Sequence, residues 1–209
     1  YTLSMGKVRA IAKGVRKLQS RKAGHLEPFT RANLLLARGR DMFIVTQAET
    51  LDSYQAVRAS LERLGYATYI VELLDQFTYE EGENRALYRL LADTMAHLGS
   101  FSNPALVVRY YEVRLLDLLG FRPQLFQCVG CQANIQPEDQ YFSFELGGVL
   151  CPRCGTNVPA SQPVSMNALK YLRHFQRSSF QEAARANLTP GVNREMEMLM
   201  EHHLTYHLE

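Results

Sequence analysis

The chain has 209 residues, 46% apolar and 21% charged, a globular balance that excludes a disordered chain, and its 13 Gly and 8 Pro exclude a collagen-like or low-complexity one. No run of 18 apolar residues is free of charge, so no membrane span is expected. The net charge of +2 hides an asymmetry: residues 1–40 hold ten Lys or Arg against one acid, Glu27, whereas the rest of the chain holds 13 against 20. The ten are Lys7, Arg9, Lys13, Arg16, Lys17, Arg21, Lys22, Arg31, Arg38 and Arg40. A solvated loop that merely keeps the protein soluble rarely has so one-sided a block. The reading is a phosphate-binding module on a more neutral scaffold, with binding that weakens steeply with salt as counterions are released. The start shows no secretory leader pattern, and it opens on Tyr1 rather than Met, which leaves room for residues ahead of it.

Residues 1–49 read as β. Lys7 to Ala10 alternates polar and apolar, Leu26 to Ala37 is rich in Leu, and Met42 to Thr46 is a short strand after the Gly39-Arg40-Asp41 turn. Short strands with turn signals predict a small barrel or sandwich. Near Ala48 the period becomes helical. Leu51 to Phe77 carries a broad apolar face with Thr50 or Asp52 as cap, and Gly65 divides it. Asn84 caps a helix from Arg85 to Leu98, ended by Gly99, and Pro104 opens another that Gly120 ends. Arg109, Glu112, Arg114 and Asp117 interrupt the apolar run there, which predicts a buried helix with one wet stripe. Ser165 caps a helix to about Arg177; Phe180 to Ala186 and Asn193 to Leu208 follow.

All four cysteines fall in two pairs, Cys128-x2-Cys131 and Cys151-x2-Cys154, nineteen residues apart. A two-residue gap lets two thiolates face one cation, and two such knuckles make a closed tetrahedron of four sulfurs, the pattern of a structural zinc site. Tyr141 to Gly148 between them reads as the hairpin of a zinc ribbon. Disulfides would need an oxidising compartment, which nothing here suggests. Arg153 in the second knuckle makes at most a thin basic patch. His25-x-Glu27 matches half the signature of a zinc nucleobase deaminase, but the cysteine spacing is wrong for it. His202, His203 and His207 read as surface or helix-end residues, since no H-E-x-x-H accompanies them. No phosphate-binding Gly loop or nucleophile elbow is present, so no enzyme is expected. Tyr1 and Phe43 are candidates for base stacking or, more simply, for the core of the β module.

Three pieces combine. Ala12-Lys13-Gly14 leads into a basic tail. Leu118-Leu119-Gly120-Phe121-Arg122-Pro123 precedes the first knuckle, and Gly147-Gly148 precedes Cys151. Together they resemble the bacterial RecO recombination mediators, in the zinc-containing subset, over nearly the whole chain. The resemblance implies an α+β, multidomain protein: an N-terminal OB-fold β-barrel over 1–49, a helical domain over 50–125, a four-cysteine zinc insert over 126–158, and C-terminal helices over 159–209 packing on the helical domain. It also implies a non-enzymatic, cytoplasmic, nucleoid-associated protein. Such a protein would bind single- and double-stranded DNA, anneal complementary strands, work with RecR, engage the C-terminal tail of single-stranded DNA-binding protein, and so help load RecA. The family's barrel begins with a strand ahead of Tyr1, so the expectation here is a barrel short of one strand, with an open edge. From the charge pattern, Lys7, Arg9, Lys13, Arg16, Lys17, Arg21, Lys22, Arg38 and Arg40 are the candidate DNA contacts. The rival reading is a zinc-containing interaction module whose basic arm steers an acidic protein partner.

Overall fold

The computed structural model describes residues 1–17, 19–79 and 82–208, which form two compact units divided after Pro104. In the first unit, β1 (Ala10–Ile11), β2 (Arg31–Arg38) and β3 (Phe43–Asp52) make a sheet in the order β1-β3-β2, with β1 parallel and β2 antiparallel to β3. β2 and β3 form a hairpin whose pairing runs from Arg38 opposite Phe43 to Arg31 opposite Asp52. Its turn requires Gly39: a Cβ there would sit 2.2 Å from the Met42 carbonyl oxygen. The register slips at Arg31/Ala32 and at Leu35/Leu36, and Leu34 and Leu35 of this outer strand are exposed.

Among the described residues this sheet has three strands and does not close into a barrel. β1 is short because the chain leaves it at Ala12 for a series of turns: Val15, Lys17 and Ser20 each donate to the carbonyl three residues back, at 3.2, 3.1 and 2.9 Å. A single 3-10 turn over Ala23–His25 follows, and Phe29 takes a positive φ of 57°, so the strand expected from Leu26 begins only at Arg31.

β3 runs on to Asp52, past the point where the sequence period turned helical, because Ala48 and Thr50 pair with Leu34 and Ala32. Asp52 caps only a local turn, accepting from the Tyr54 N–H at 2.9 Å. The helices are α1 (Gln55–Arg58), α2 (Leu61–Phe77) and α3 (Arg85–Ser100). Ser60 caps α2, which continues unbroken through Gly65, since an isolated Gly weakens a helix by only about 1 kcal/mol. Asn84 caps α3, as expected, by accepting from Leu87 N–H at 3.0 Å. The Arg63 guanidinium donates to the carbonyls of Leu98 and Phe101, satisfying the end of α3 with a cation. Val57, Ala67, Ile70, Leu74, Met95 and Leu98 form the core of this unit.

The second unit is built on α4 (Pro104–Leu119), followed by β4 (Gln140–Ser143), β5 (Gly148–Leu150), α5 (Pro152–Gly155), β6 (Gln162–Val164), α6 (Met166–Arg177), α7 (Phe180–Ala183) and α8 (Pro190–Leu208). The strands make an antiparallel sheet in the order β5-β4-β6. α7 is a single turn closed by a capping box between Ser179 and Glu182. α8 begins three residues earlier than expected, at Pro190, a residue suited to a first helical position. Ser165 caps α6, and its backbone N–H and hydroxyl also donate to the Glu195 carboxylate, both at 2.6 Å, tying α6 to α8.

Of the wet stripe expected on α4, Arg114 and Asp117 reach solvent and Arg109 and Glu112 do not. Arg109 and Glu112 are 4% and 0% exposed, with Arg109 Nη2 at 3.1 Å from Glu112 Oε1 and 3.5 Å from Glu197 Oε1. A charge can be buried when its partner is supplied one turn on and by another helix. Leu106, Val108, Tyr111, Leu115, Phe175 and Met200 fill the core around them. Among the described residues no helix is long and apolar enough to cross a membrane.

Candidate metal centre and nucleic-acid interface

The four cysteines converge. Their sulfurs all lie within 4.8 Å of one another, with Cys131 Sγ and Cys151 Sγ 3.8 Å apart. That separation is far too long for a disulfide, whose bond is about 2.05 Å. It matches the edge of a tetrahedron whose metal–sulfur bonds are about 2.3 Å, roughly 3.8 Å. The first knuckle is a tight turn in which Gln132 N–H returns to Cys128 O and Cys128 N–H donates to Ala133 O, both at 2.8 Å. The second is the start of α5, where Cys154 and Gly155 donate to the Cys151 carbonyl at 3.0 and 2.8 Å. Two further bonds stitch the first knuckle to the hairpin: Val129 N–H to Val149 O, and Val149 N–H to Gln124 O. Tyr141 packs so closely under Gly155 that a Cβ there would lie 2.3 Å from its ring.

The sulfurs are electrostatically frustrated without a cation. Burial pushes the Cys128 thiol up, but backbone N–H donors from Cys151, Cys131 and Gly130 outweigh it and bring it down to about 6. Cys154, hydrogen-bonded to the Cys151 and Cys131 side chains, is pushed up to about 12. Four thiolates can coexist at one point only around a positive ion, so the donor set suits a soft divalent metal. No other cluster of three or more His, Cys, Asp or Glu among the described residues could hold a metal.

The basic residues of the first unit gather in two places. Lys7, Arg9, Arg38 and Arg40 surround one depression of about 200 Å³, with Phe43 and one acid, Asp41, in its lining. The register explains this: Phe43 pairs with both Ala10 and Arg38, so Arg9 and Arg38 flank it. Lys13, Arg16 and Lys17 line a second concavity on the turns after β1. Lys13, Arg16, Lys17, Arg21, Arg38 and Arg40 are exposed and form no ion pair among the described residues. Two candidates are engaged inside the unit. Lys7 Nζ meets Asp75 at 2.9 Å from Oδ1 and 2.8 Å from its carbonyl oxygen, while Lys22 Nζ donates to Val45 O at 3.0 Å and to Lys13 O at 3.3 Å. The Lys7 partner lies 68 residues away, so no spacing in the sequence could reveal it.

The family signature "Recombination protein O N terminal" matches residues 1–54, and "Recombination protein O C terminal" matches residues 58–209. The chain is 40% identical over 205 residues to the DNA repair protein RecO of Roseiflexus sp. (strain RS-1), covering 98% of this chain and 72% of that protein. It is 36% identical over 208 residues to the DNA repair protein RecO of Dehalococcoides mccartyi (strain BAV1), covering 100% and 82%. The corresponding protein of Pelotomaculum thermopropionicum is 34% identical over 211 residues, with 100% and 81% covered.

The chain belongs to the RecO family.

The remaining candidates take plainer places in this RecO-family chain. His25 Nδ1 accepts from Thr50 N–H at 3.2 Å and lies 2.8 Å from the Thr50 hydroxyl, pinning the turn segment to β3. Glu27 beside it is exposed. Tyr1 lines a cavity of about 360 Å³ between the sheet and the helices of the first unit, together with Tyr54, Leu74 and Met95. His202 is exposed, but His203 is 1% exposed, packed edge-on to Phe142 with Nε2 at 3.3 Å from the Phe121 carbonyl oxygen. Expected as a surface or helix-end residue, His203 lies near the end of α8 but is core. Burial, and then the neighbouring His207, lower its pKa to about 4, so it stays neutral inside. His207 stacks on Phe121, ring centroids 4.5 Å apart.

Proposed function

We propose that the chain is a non-enzymatic DNA-binding recombination mediator. It binds single- and double-stranded DNA, anneals complementary strands, and acts in the cytoplasm with RecR and the tail of single-stranded DNA-binding protein so that RecA is loaded. The observation that carries this reading is the set of exposed cations on residues 13–40, which lack carboxylate partners among the described residues, in a chain of the RecO family. Arg16, Lys17, Arg21, Arg38 and Arg40 hold phosphates. Screening the repulsion between two strands lets their bases meet, and because phosphates carry no sequence, annealing is indifferent to it. Lys7 and Lys22 act mainly by fixing the sheet and the turn segment. The three-stranded sheet would belong to an OB-type barrel, and Phe43, amid the cations, offers a base-stacking face.

Cys128, Cys131, Cys151 and Cys154 hold one zinc ion. When bound, the ion supplies a closed four-sulfur crosslink with no open position for chemistry. The knuckles and the β4–β5 hairpin position the thiolates, and Tyr141 under Gly155 fixes the second knuckle against the sheet.

The test is an oligonucleotide binding and annealing assay over a salt series. Arg16→Glu/Lys17→Glu should lose at least about tenfold in annealing rate near 100 mM salt and flatten the logarithmic salt slope by about 1.4, two phosphates at roughly 0.7 each on single strands. Wild-type annealing by a folded double variant overturns the assignment.

A further inference from the structure

The second unit has a concentration of positive charge that segment-by-segment counting passes over. Along α6, Lys170, Arg173 and Arg177 are spaced three and four apart, so they share one helix face and span about 10 Å. With Arg185, just beyond α7, they line an open groove of about 1120 Å³, larger than the roughly 300–1,000 Å³ of a small-molecule pocket. One acid, Glu182, also lines it, but its carboxylate accepts from the Ser179 backbone N–H at 2.8 Å and from the Ser179 hydroxyl at 2.9 Å. That use keeps the carboxylate in place with its charge, and four basic side chains against this one acid still leave the groove net cationic.

Two of the cations are preorganised on an aromatic ring. The Arg177 guanidinium lies 3.6 Å from the centroid of Phe126, and that of Arg173 lies 5.2 Å from it. Arg173 is also fixed by donating from Nε to the Leu125 carbonyl at 2.7 Å, with Nη2 buried, so it backs the ring rather than meeting solvent. A rigid guanidinium plane serves nucleic acid twice over: its N–H groups meet phosphate, and its face takes a base. Holding the cations in place beforehand removes part of the ordering cost of binding.

We propose that this groove is a second single-strand binding site, separate from the basic segment of the first unit. The inference rests on the DNA-annealing reading and deepens it: an annealing protein must hold two strands at once, and two cationic surfaces in one chain allow a single molecule to do so. Lys170 and Arg185 contact phosphates, and the Arg177–Phe126 stack receives a base.

The experiment uses the full chain. Lys170→Glu/Arg185→Glu reverses two exposed charges without touching the Phe126 stack, and Arg177→Ala removes the stack's outer layer. Circular dichroism and thermal midpoint establish that each variant is folded. For the charge reversal, the expected results are an annealing rate about tenfold lower and a single-strand salt slope flatter by about 1.4. A bromodeoxyuridine oligonucleotide should crosslink under ultraviolet light to a peptide spanning 170–177 in the wild-type chain, with the yield falling in Arg177→Ala. Unchanged annealing, slope and crosslinking overturn the proposal. So does loss of binding to an acidic synthetic peptide with DNA behaviour intact, which would assign the groove to a protein partner. A wild-type chain that binds no DNA at all overturns the annealing reading as well. Sensitivity to Arg16→Glu/Lys17→Glu but not to the groove variants overturns this inference alone.

Discussion

The turns after β1 and the interior of the second unit use the same residue types in opposite ways. On the turns, Lys13, Arg16 and Lys17 stand in solvent and form no ion pair among the described residues. On α4, Arg109 is shut away with Glu112 one turn on and Glu197 from α8. Solvated, unpaired cations cost the fold little and remain available to a ligand. A buried pair has already committed its charge, and it is strongly destabilising when broken. Positive charge is therefore left in solvent in one region and is a packing element in the other.

Removing the proposed metal is the hardest test of the buried side of that contrast. A zinc ion held as proposed should contribute on the order of 10 kcal/mol to ordering the cysteine insert. Chelation, or Cys131→Ser/Cys154→Ser, should then expose residues 126–158 to rapid amide hydrogen exchange while α2 and α3 stay protected. Uniform protection after chelation would mean the hairpin holds the knuckles unaided.

Next in size is the ion pair. Glu112→Ala leaves Arg109 buried beside the half-exposed Glu197 alone and should cost about 3–5 kcal/mol in urea denaturation. A cost below about 1 kcal/mol, the range of surface pairs, would erase the distinction between the two regions.

His203 sharpens the same contrast through pH. Its folded pKa, about 4, lies below the ordinary value of 6.5, so the unfolded chain takes up the proton first. Stability from this group is complete above about pH 6.5 and is lost as pH falls towards 4, by up to about 3 kcal/mol. His203→Phe should flatten that part of the stability–pH curve. An unchanged slope would place the titration elsewhere.

Much of this was legible in the chain. Cysteine spacing anticipated the four-sulfur cluster because a two-residue gap has few other uses, and caps such as Asn84 and Ser165 act over three residues, within reach of local reading. What escaped depends on distant partners. Nothing near Lys7 announces Asp75, nothing within α4 announces Glu197, and His203 looks like a helix-end residue until Phe121 and Phe142 close over it. The extension of β3 to Asp52 was hidden for the same reason: Leu51 continues an apolar pattern that suits a helix, and only pairing with β2 decides for a strand.

The outer strand β2 carries a hazard that its own irregularities contain. Leucines exposed on a sheet margin invite a neighbouring copy to dock strand against strand and grow into an insoluble stack. The two slips in register kink that margin, and Arg31 and Arg38 at its ends repel an approaching twin. The Arg38 guanidinium, proposed to meet phosphate, would thereby also keep copies of the molecule apart.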